Sequence, residues 1–169
     1  SVAFGTVTID QSVANTTTVT VDSNRAIVDW TRSDLPGTTQ FTFQPAGTTA
    51  NFVKGSGAGA APYAILNRIA STEATASALF DGTVNDVSGG NSIFFYNSGG
   101  FVLGANSRFN VGNLVLSAGA FALDGASDFF PGSSQFSVAS AAGSNAGVEI
   151  QAGAQINSSV AGSQSFVVA

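Results

Sequence analysis

Between Ser92 and Ala118 the chain is built from apolar runs of three or four residues, each closed by a tight corner. Ile93 to Tyr96 is one run. Asn97-Ser98-Gly99-Gly100 turns it, because Asn and Gly tolerate positive φ at little steric cost. Phe101 to Leu103 follows and stops at Gly104, Arg108 to Val111 alternates polar and apolar, and Leu114 to Leu116 is a third run. Strands this short do not hold as isolated hairpins. They make sense as the sides of coils, each stacked on the next. A second copy lies 47 residues on: Gly100, Ala105 and Asn110 face Gly147, Ala152 and Asn157, while Leu103 and Phe109 face Ile150 and Ile156. With a short insertion, Leu114 to Ala118 faces Phe166 to Ala169. Such a period suits two coils of roughly 23 residues each.

Composition points the same way. The 169 residues suffice for one domain with a substantial core. Only 9% are charged, against a usual share of about 25%, and Thr, Ser, Ala, Val and Phe stand where a helical bundle would place Lys and Glu. Twenty glycines fit frequent corners. A net charge of −5, with Arg25, Arg32, Lys54, Arg68 and Arg108 scattered, argues against nucleic acid as a partner. There is no cysteine for a disulfide or thiolate site and no histidine to serve as base or ligand. No apolar run reaches the roughly 20 residues of a membrane-spanning helix. The chain opens on Ser1 without Met, which fits either a mature form after signal removal or an excised segment.

Along the chain, Val7–Ile9, Val19–Val21 and Ala26–Trp30 read as strands, Asp34 to Gly37 as a turn, and Phe41-Thr42-Phe43 as an alternating strand stopped by Gln44-Pro45. Gly55 to Pro62 is glycine-rich but lacks the Gly-Lys-Ser/Thr ending of a phosphate loop, and reads as a plain loop. Pro62 to Phe80 is two-valued. Tyr63, Leu66, Ile69 and Ala70 have helical spacing, whereas Ile65-Leu66 equally suits a short buried strand. Leu79 to Val87 reads as strand and turn. Residues 121–134, with turns at Asp124-Gly125 and Pro131-Gly132, read as a loop or small hairpin leaving the coils, which resume at Phe136–Val138, Val148–Ile150 and Phe166–Val168.

Ordered along the chain, Ala26-Ile-Val-Asp-Trp30, Phe41-Thr-Phe-Gln-Pro45, Ile65-Leu-Asn-Arg-Ile69, Gly82-Thr-Val84, Ile93 to Gly104 and Phe109-Asn-Val-Gly112 resemble the N-terminal secretion domain of filamentous haemagglutinin-like exoproteins of two-partner secretion. The likeness covers roughly Val19 to Ala118, with further coils over 119–169. It departs at Asp29, where the family usually has Asn, at the corner Asn97 to Gly100, which lacks the family's Pro and second Asn, and at the apparent insertion Gly55 to Ala61. The resemblance implies an all-β, right-handed parallel β-helix (a solenoid) with an N-terminal cap and a small extra-helical loop or hairpin. It implies export to the surface or surroundings of a Gram-negative bacterium through an outer-membrane barrel transporter. It marks Trp30, Gln44, Pro45, Leu66, Asn67, Arg68, Asn110 and Gly112 as family-matching positions, and Asn97, Ser98, Gly99 and Gly100 as the secretion corner.

Read by their own chemistry, these residues are mostly structural. Trp30 is most simply a core residue filling the first coils, with surface recognition as the alternative. Asn67 bonds backbone at a bend, and Arg68 pairs with an acid such as Glu73. Asn110 and Asn157 either stack as an amide ladder or stand at two exposed coil corners. Asp124 and Asp128 fall short of the six to eight oxygens calcium wants. Among the acids only Asp81 and Asp86 sit close, across a turn, so no enzyme and no cofactor are expected; a carbohydrate-active β-helix enzyme is the weakest of three alternatives. The inner column is expected to hold Phe94, Phe95 or Tyr96, Val102, Phe109, Leu114 and Leu116. Finally, Phe166, Val167 and Val168 form an apolar strand with no polar cap after it, an edge suited to end-to-end self-association. An adhesin-like secretion domain and a self-assembling filament subunit are therefore the two leading readings, with the adhesion ligand left open.

Overall fold

The computed structural model describes residues 1–59, 61–121, 138–139, 146–158 and 166–168. Its strands in chain order are β1 (Val2–Phe4), β2 (Val7–Asp10), β3 (Thr16–Val21), β4 (Arg25–Arg32), β5 (Gln40–Gln44), β6 (Thr49–Lys54), β7 (Ala64–Ser71), β8 (Ser77–Phe80), β9 (Thr83–Asp86), β10 (Ser92–Tyr96), β11 (Phe101–Leu103), β12 (Arg108–Val111), β13 (Asn113–Ser117), β14 (Ala120–Phe121), β15 (Val138–Ala139), β16 (Val148–Ile150), β17 (Gln155–Ser158) and β18 (Phe166–Val168). Among the described residues the only helical element is a 3₁₀ turn at Ser56–Ala58. The segment with two-valued spacing is therefore strand: Ala64–Ser71 is β7.

The strands make three large sheets, ordered β1-β4-β7-β10-β13-β18, β5-β8-β11-β16 and β2-β3-β6-β9-β12-β17. From β4 onward the chain visits them in rotation, first, second, third and back to the first. Each strand pairs in parallel with the one laid down a circuit earlier. Only β1 on β4, β2 on β3, and the small pair β14–β15 are antiparallel. Thus β1 and β2 cover the N-terminal edges of the first and third sheets. The β14–β15 pair joins Ala120–Phe121 to Val138–Ala139; residues 122–137, and with them Asp124 and Asp128, lie outside the described ones.

The pairing corrects the reading of the repeat. Phe101 pairs directly with Val148, and Asn110 with Asn157, so an offset of 47 is a single circuit rather than two coils. The shortest circuit, from Ile93 to Leu114, takes 21 residues.

The interior lies between the three sheets. Phe80 of β8, Phe95 of β10 and Phe109 of β12, one from each, meet with ring centroids 5.1, 5.6 and 6.4 Å apart. Ile65, Ile93 and Leu114 stack below one another in the first sheet, each fully buried, and Ala78 and Phe101 do so in the second. Two expected members of the column are displaced. Phe94 packs on the other face of the first sheet with Ile27, Leu66, Val115 and Tyr96, and Val102 is buried but outside the central cluster. In β10 and β11 the residues pointing inward are Ile93, Phe95, Phe101 and Leu103.

Candidate functional site

Strand alternation sets which side chains of the first circuit face inward. In β4 these are Ala26, Val28 and Trp30; in the β7 region they are Tyr63, Ile65 and Ile69. Asn67 occupies the remaining inward step of β7 and is completely buried. Its Oδ1 accepts the indole N–H of Trp30 at 3.0 Å, and its Nδ2 donates to the Phe94 carbonyl at 3.2 Å. Asn67 does bond backbone, as the sequence suggests, but from within a strand rather than at a bend.

On the outward steps Asp29 and Arg68 are register partners. Arg68 grips the Asp29 carboxylate with Nε at 2.6 Å and Nη2 at 2.9 Å. Glu73 is thus not its acid. Leu66, also outward, belongs to the cluster around Phe94.

Trp30, Gln44, Pro45 and Asn67, taken from three different strands and the corner after β5, all line one cavity of about 390 Å³ at the capped end. Phe43 stands against Trp30 in a T-shaped contact, 6.0 Å between centroids. Phe52, Phe80, Val84 and Phe95 form the floor, and Gln11, Asn15, Thr16, Thr17, Thr48 and Thr49 the polar wall. Gln11 and Asn15 come from the corner between β2 and β3, where Asn15 takes a positive φ of 59°. No lining residue is ionisable. Gln44 is nine-tenths buried and donates from Nε2 to the Thr83 carbonyl at 2.6 Å, while its Oε1 has no partner.

The corner Asn97 to Gly100 links β10 to β11 and lies against the backbone of the circuit before it. Buried Asn97 donates to the carbonyls of Ala76 at 3.0 Å and Gly100 at 2.7 Å, and Ser98 donates to that of Ala74. Gly100 has φ +85°, whereas Gly99 is required for space: a Cβ there would collide with the Ala76 carbonyl. Gly112 is held the same way, since a Cβ would stand 2.8 Å from the Asn91 oxygen.

Asn110 and Asn157 do form a ladder, and it is longer than the sequence suggests. On the outer face of the third sheet Asn157 donates to Asn110 at 3.1 Å, Asn110 to Asn85 at 2.9 Å, and Asn85 to Asn51 at 3.0 Å. The missed signal was an Asn directly after an apolar residue in four successive strands, Ala50-Asn51, Val84-Asn85, Phe109-Asn110 and Ile156-Asn157. The cavity wall at Gln11 and Asn15 left no comparable mark, because its residues are ordinary corner residues.

The acids serve corners. Asp81 accepts from the backbone and side chain of Asn106, and Asp86 from Gly89 and Asn91. Asp34 holds the loop after β4 by accepting from Ser71 and Arg32, and those bonds, Ser71's foremost, keep its carboxyl below the ordinary value. Burial, aided by the negative charge of Asp86, raises the pKa of the Tyr63 hydroxyl far above its ordinary value. Among the described residues no group of three His, Cys, Asp or Glu side chains converges. The edge strand Phe166–Val168 pairs in parallel with β13 through Leu114, Val115 and Leu116.

No protein-family model, curated protein or solved structure matches the chain.

Proposed function

We propose that this chain is the secretion domain, with its first coils, of an adhesin-like exoprotein of the two-partner type. In this reading it is a right-handed parallel β-helix exported through an outer-membrane barrel to the surface of a Gram-negative bacterium. The observation that carries the reading is the convergence of Trp30, Gln44, Pro45 and Asn67, four of the positions that bear the resemblance, on one cavity at the capped end. Rotation of the chain through three parallel sheets supports it, as do the antiparallel flanking strands β1 and β2.

The mechanism is one of directional folding. The chain carries no disulfide and few charges, so an unfolded thread meets little resistance in a narrow channel. Once the first circuit has closed outside, its free strand edge is a template. Each further circuit adds a parallel ladder, apolar side chains to the interior and an asparagine bond contributing about 0.5–1.5 kcal/mol. Growth at the emerging end then draws chain outward without another energy source.

The test is export from a Gram-negative host carrying the chain behind a signal segment, with and without an outer-membrane barrel transporter of the two-partner type. Folded protein should reach the medium only when the barrel is present. Equal export without it, or retention in the periplasm with it, would refute the proposal.

A second reading rests on the outer edges of β16, β17 and β18, beyond which no described strand lies. Docked on the N-terminal end of another copy, these edges would give a head-to-tail contact that propagates into filaments. Light scattering should then show rods that disperse when Val167 and Val168 are changed to Lys; a monomer indifferent to the lysines would rule this out.

A further inference from the structure

We propose that the cavity at the capped end is a binding site for a neutral saccharide unit. Four features combine. The volume of about 390 Å³ lies near the lower end of the roughly 300–1,000 Å³ typical of small-molecule sites. That suits one or two sugar rings better than a longer chain. The wall is aromatic on one side, at Trp30 and Phe43, whose rings meet edge to face and give apolar surface for the C–H groups of a sugar. The other side carries the amides and hydroxyls of Gln11, Asn15, Thr17 and Thr49. And no lining residue is charged, which leaves a carboxylate or phosphate without a counterion and selects a neutral ligand.

Gln44 is fixed in the cavity wall, because its Nε2 donates to the Thr83 carbonyl, while its Oε1 is closed off from solvent. The groups open to a sugar hydroxyl are instead those of exposed Gln11 and Asn15 and of half-buried Thr17 and Thr49. A purely apolar guest leaves these groups unmatched. Trp30 needs nothing from the ligand, because its N–H already bonds Asn67, which fixes the indole in place before binding. The site is therefore preorganised on the aromatic side and open to hydrogen bonding on the amide and hydroxyl side. The inference is independent of the export route, and its test reads binding by the purified chain alone.

Trp30 is the only tryptophan, so its emission reports on the cavity. Methyl glycosides of the common neutral hexoses and N-acetylhexosamines are titrated into the purified chain, each beside the corresponding uronic acid, with toluene as an apolar probe. At least one neutral glycoside should shift the emission saturably, and its uronic acid should bind no tighter. Thr49→Val, which keeps the shape and removes the hydroxyl, should weaken that glycoside about fivefold to tenfold, in line with the loss of one hydrogen bond. Gln11→Ala, at an exposed corner that does not endanger folding, should weaken it less. Circular dichroism and the melting temperature verify that each variant is folded. Three results overturn the proposal: no glycoside shifts the emission, the shift survives both substitutions unchanged in midpoint, or toluene saturates the cavity while no sugar does.

Discussion

The indole N–H of Trp30 donates to Oδ1 of Asn67, 3.0 Å away in the neighbouring strand, and joins two positions 37 residues apart in the chain. The bond also consumes the one acceptor of a completely buried amide whose N–H reaches the Phe94 carbonyl of the next strand. Three successive strands of the first sheet are thus tied by one side chain.

Replacing Asn67 with Leu should therefore cost about 1–3 kcal/mol, because the Trp30 N–H loses its acceptor in a half-buried setting. Urea unfolding of the single variant, of Trp30→Phe and of the double variant checks this. The two losses should be less than additive, since removing either partner already breaks the bond.

The asparagine ladder gives a graded expectation. Asn85 and Asn110 each make two ladder bonds, Asn51 and Asn157 one. At about 0.5–1.5 kcal/mol per bond, Asn85→Ala and Asn110→Ala should destabilise roughly twice as much as Asn51→Ala in thermal or urea melts. Equal effects at all positions would mean that the bonds contribute nothing beyond solvation.

The ladder also marks what the sequence makes legible. In β12 the alternation of Arg108, Phe109, Asn110 and Val111 gives the phase of the strand directly, because only its inner face is apolar. Ile93 to Tyr96 offers no such phase. The first sheet is covered on both faces, so an unbroken apolar run is compatible with either Phe94 or Phe95 inside, and only the register with β7 and β13 selects Phe95. The same two-sided burial produces the helical spacing of Tyr63, Leu66 and Ile69, two of which face the interior and one the opposite side. Pairing of Gly100 with the region of Gly147 was visible in the sequence, but its meaning as one long circuit was not, since an offset does not say how many circuits it spans. The cavity was hidden for another reason: its lining is drawn from many strands and corners, and only the fold brings them together.

Tyr63 sets the alkaline limit. Its hydroxyl is buried without a hydrogen-bond partner, and burial holds its pKa above the ordinary 10.0. The folded state thus keeps this proton where the unfolded chain releases it. The contribution from the neutral side chain is complete below pH 10.0 and declines as the pH rises above that value. Tyr63→Phe should lessen the loss of melting temperature above that pH. At neutral pH it should gain about 1–2 kcal/mol, because an unsatisfied buried hydroxyl is removed. A variant less stable than the parent at pH 7, with the same alkaline profile, would show that the hydroxyl has a partner after all.

The corner glycines separate two causes that a sequence cannot. Gly47 and Gly100 both adopt positive φ, +76° and +85°, but nothing lies within 4 Å of a Cβ placed on Gly47, whereas one on Gly100 would strike the Gly147 carbonyl. Gly47→Ala should cost only the backbone term, about 1–2 kcal/mol. Gly100→Ala adds a backbone collision that no flexible side chain can relieve, and should cost clearly more. Gly99→Ala isolates the collision alone, against the Ala76 carbonyl and without an unusual φ. The expected order of melting temperatures is parent, then Gly47→Ala, then the two corner variants, with the double change of Gly99 and Gly100 to Val preventing the native fold. Should Gly100→Ala melt with Gly47→Ala, the corner is looser than its contacts imply. Should the double Val variant be exported and melt like the parent, the corner is neither a steric requirement of the stack nor a signal that a transporter reads.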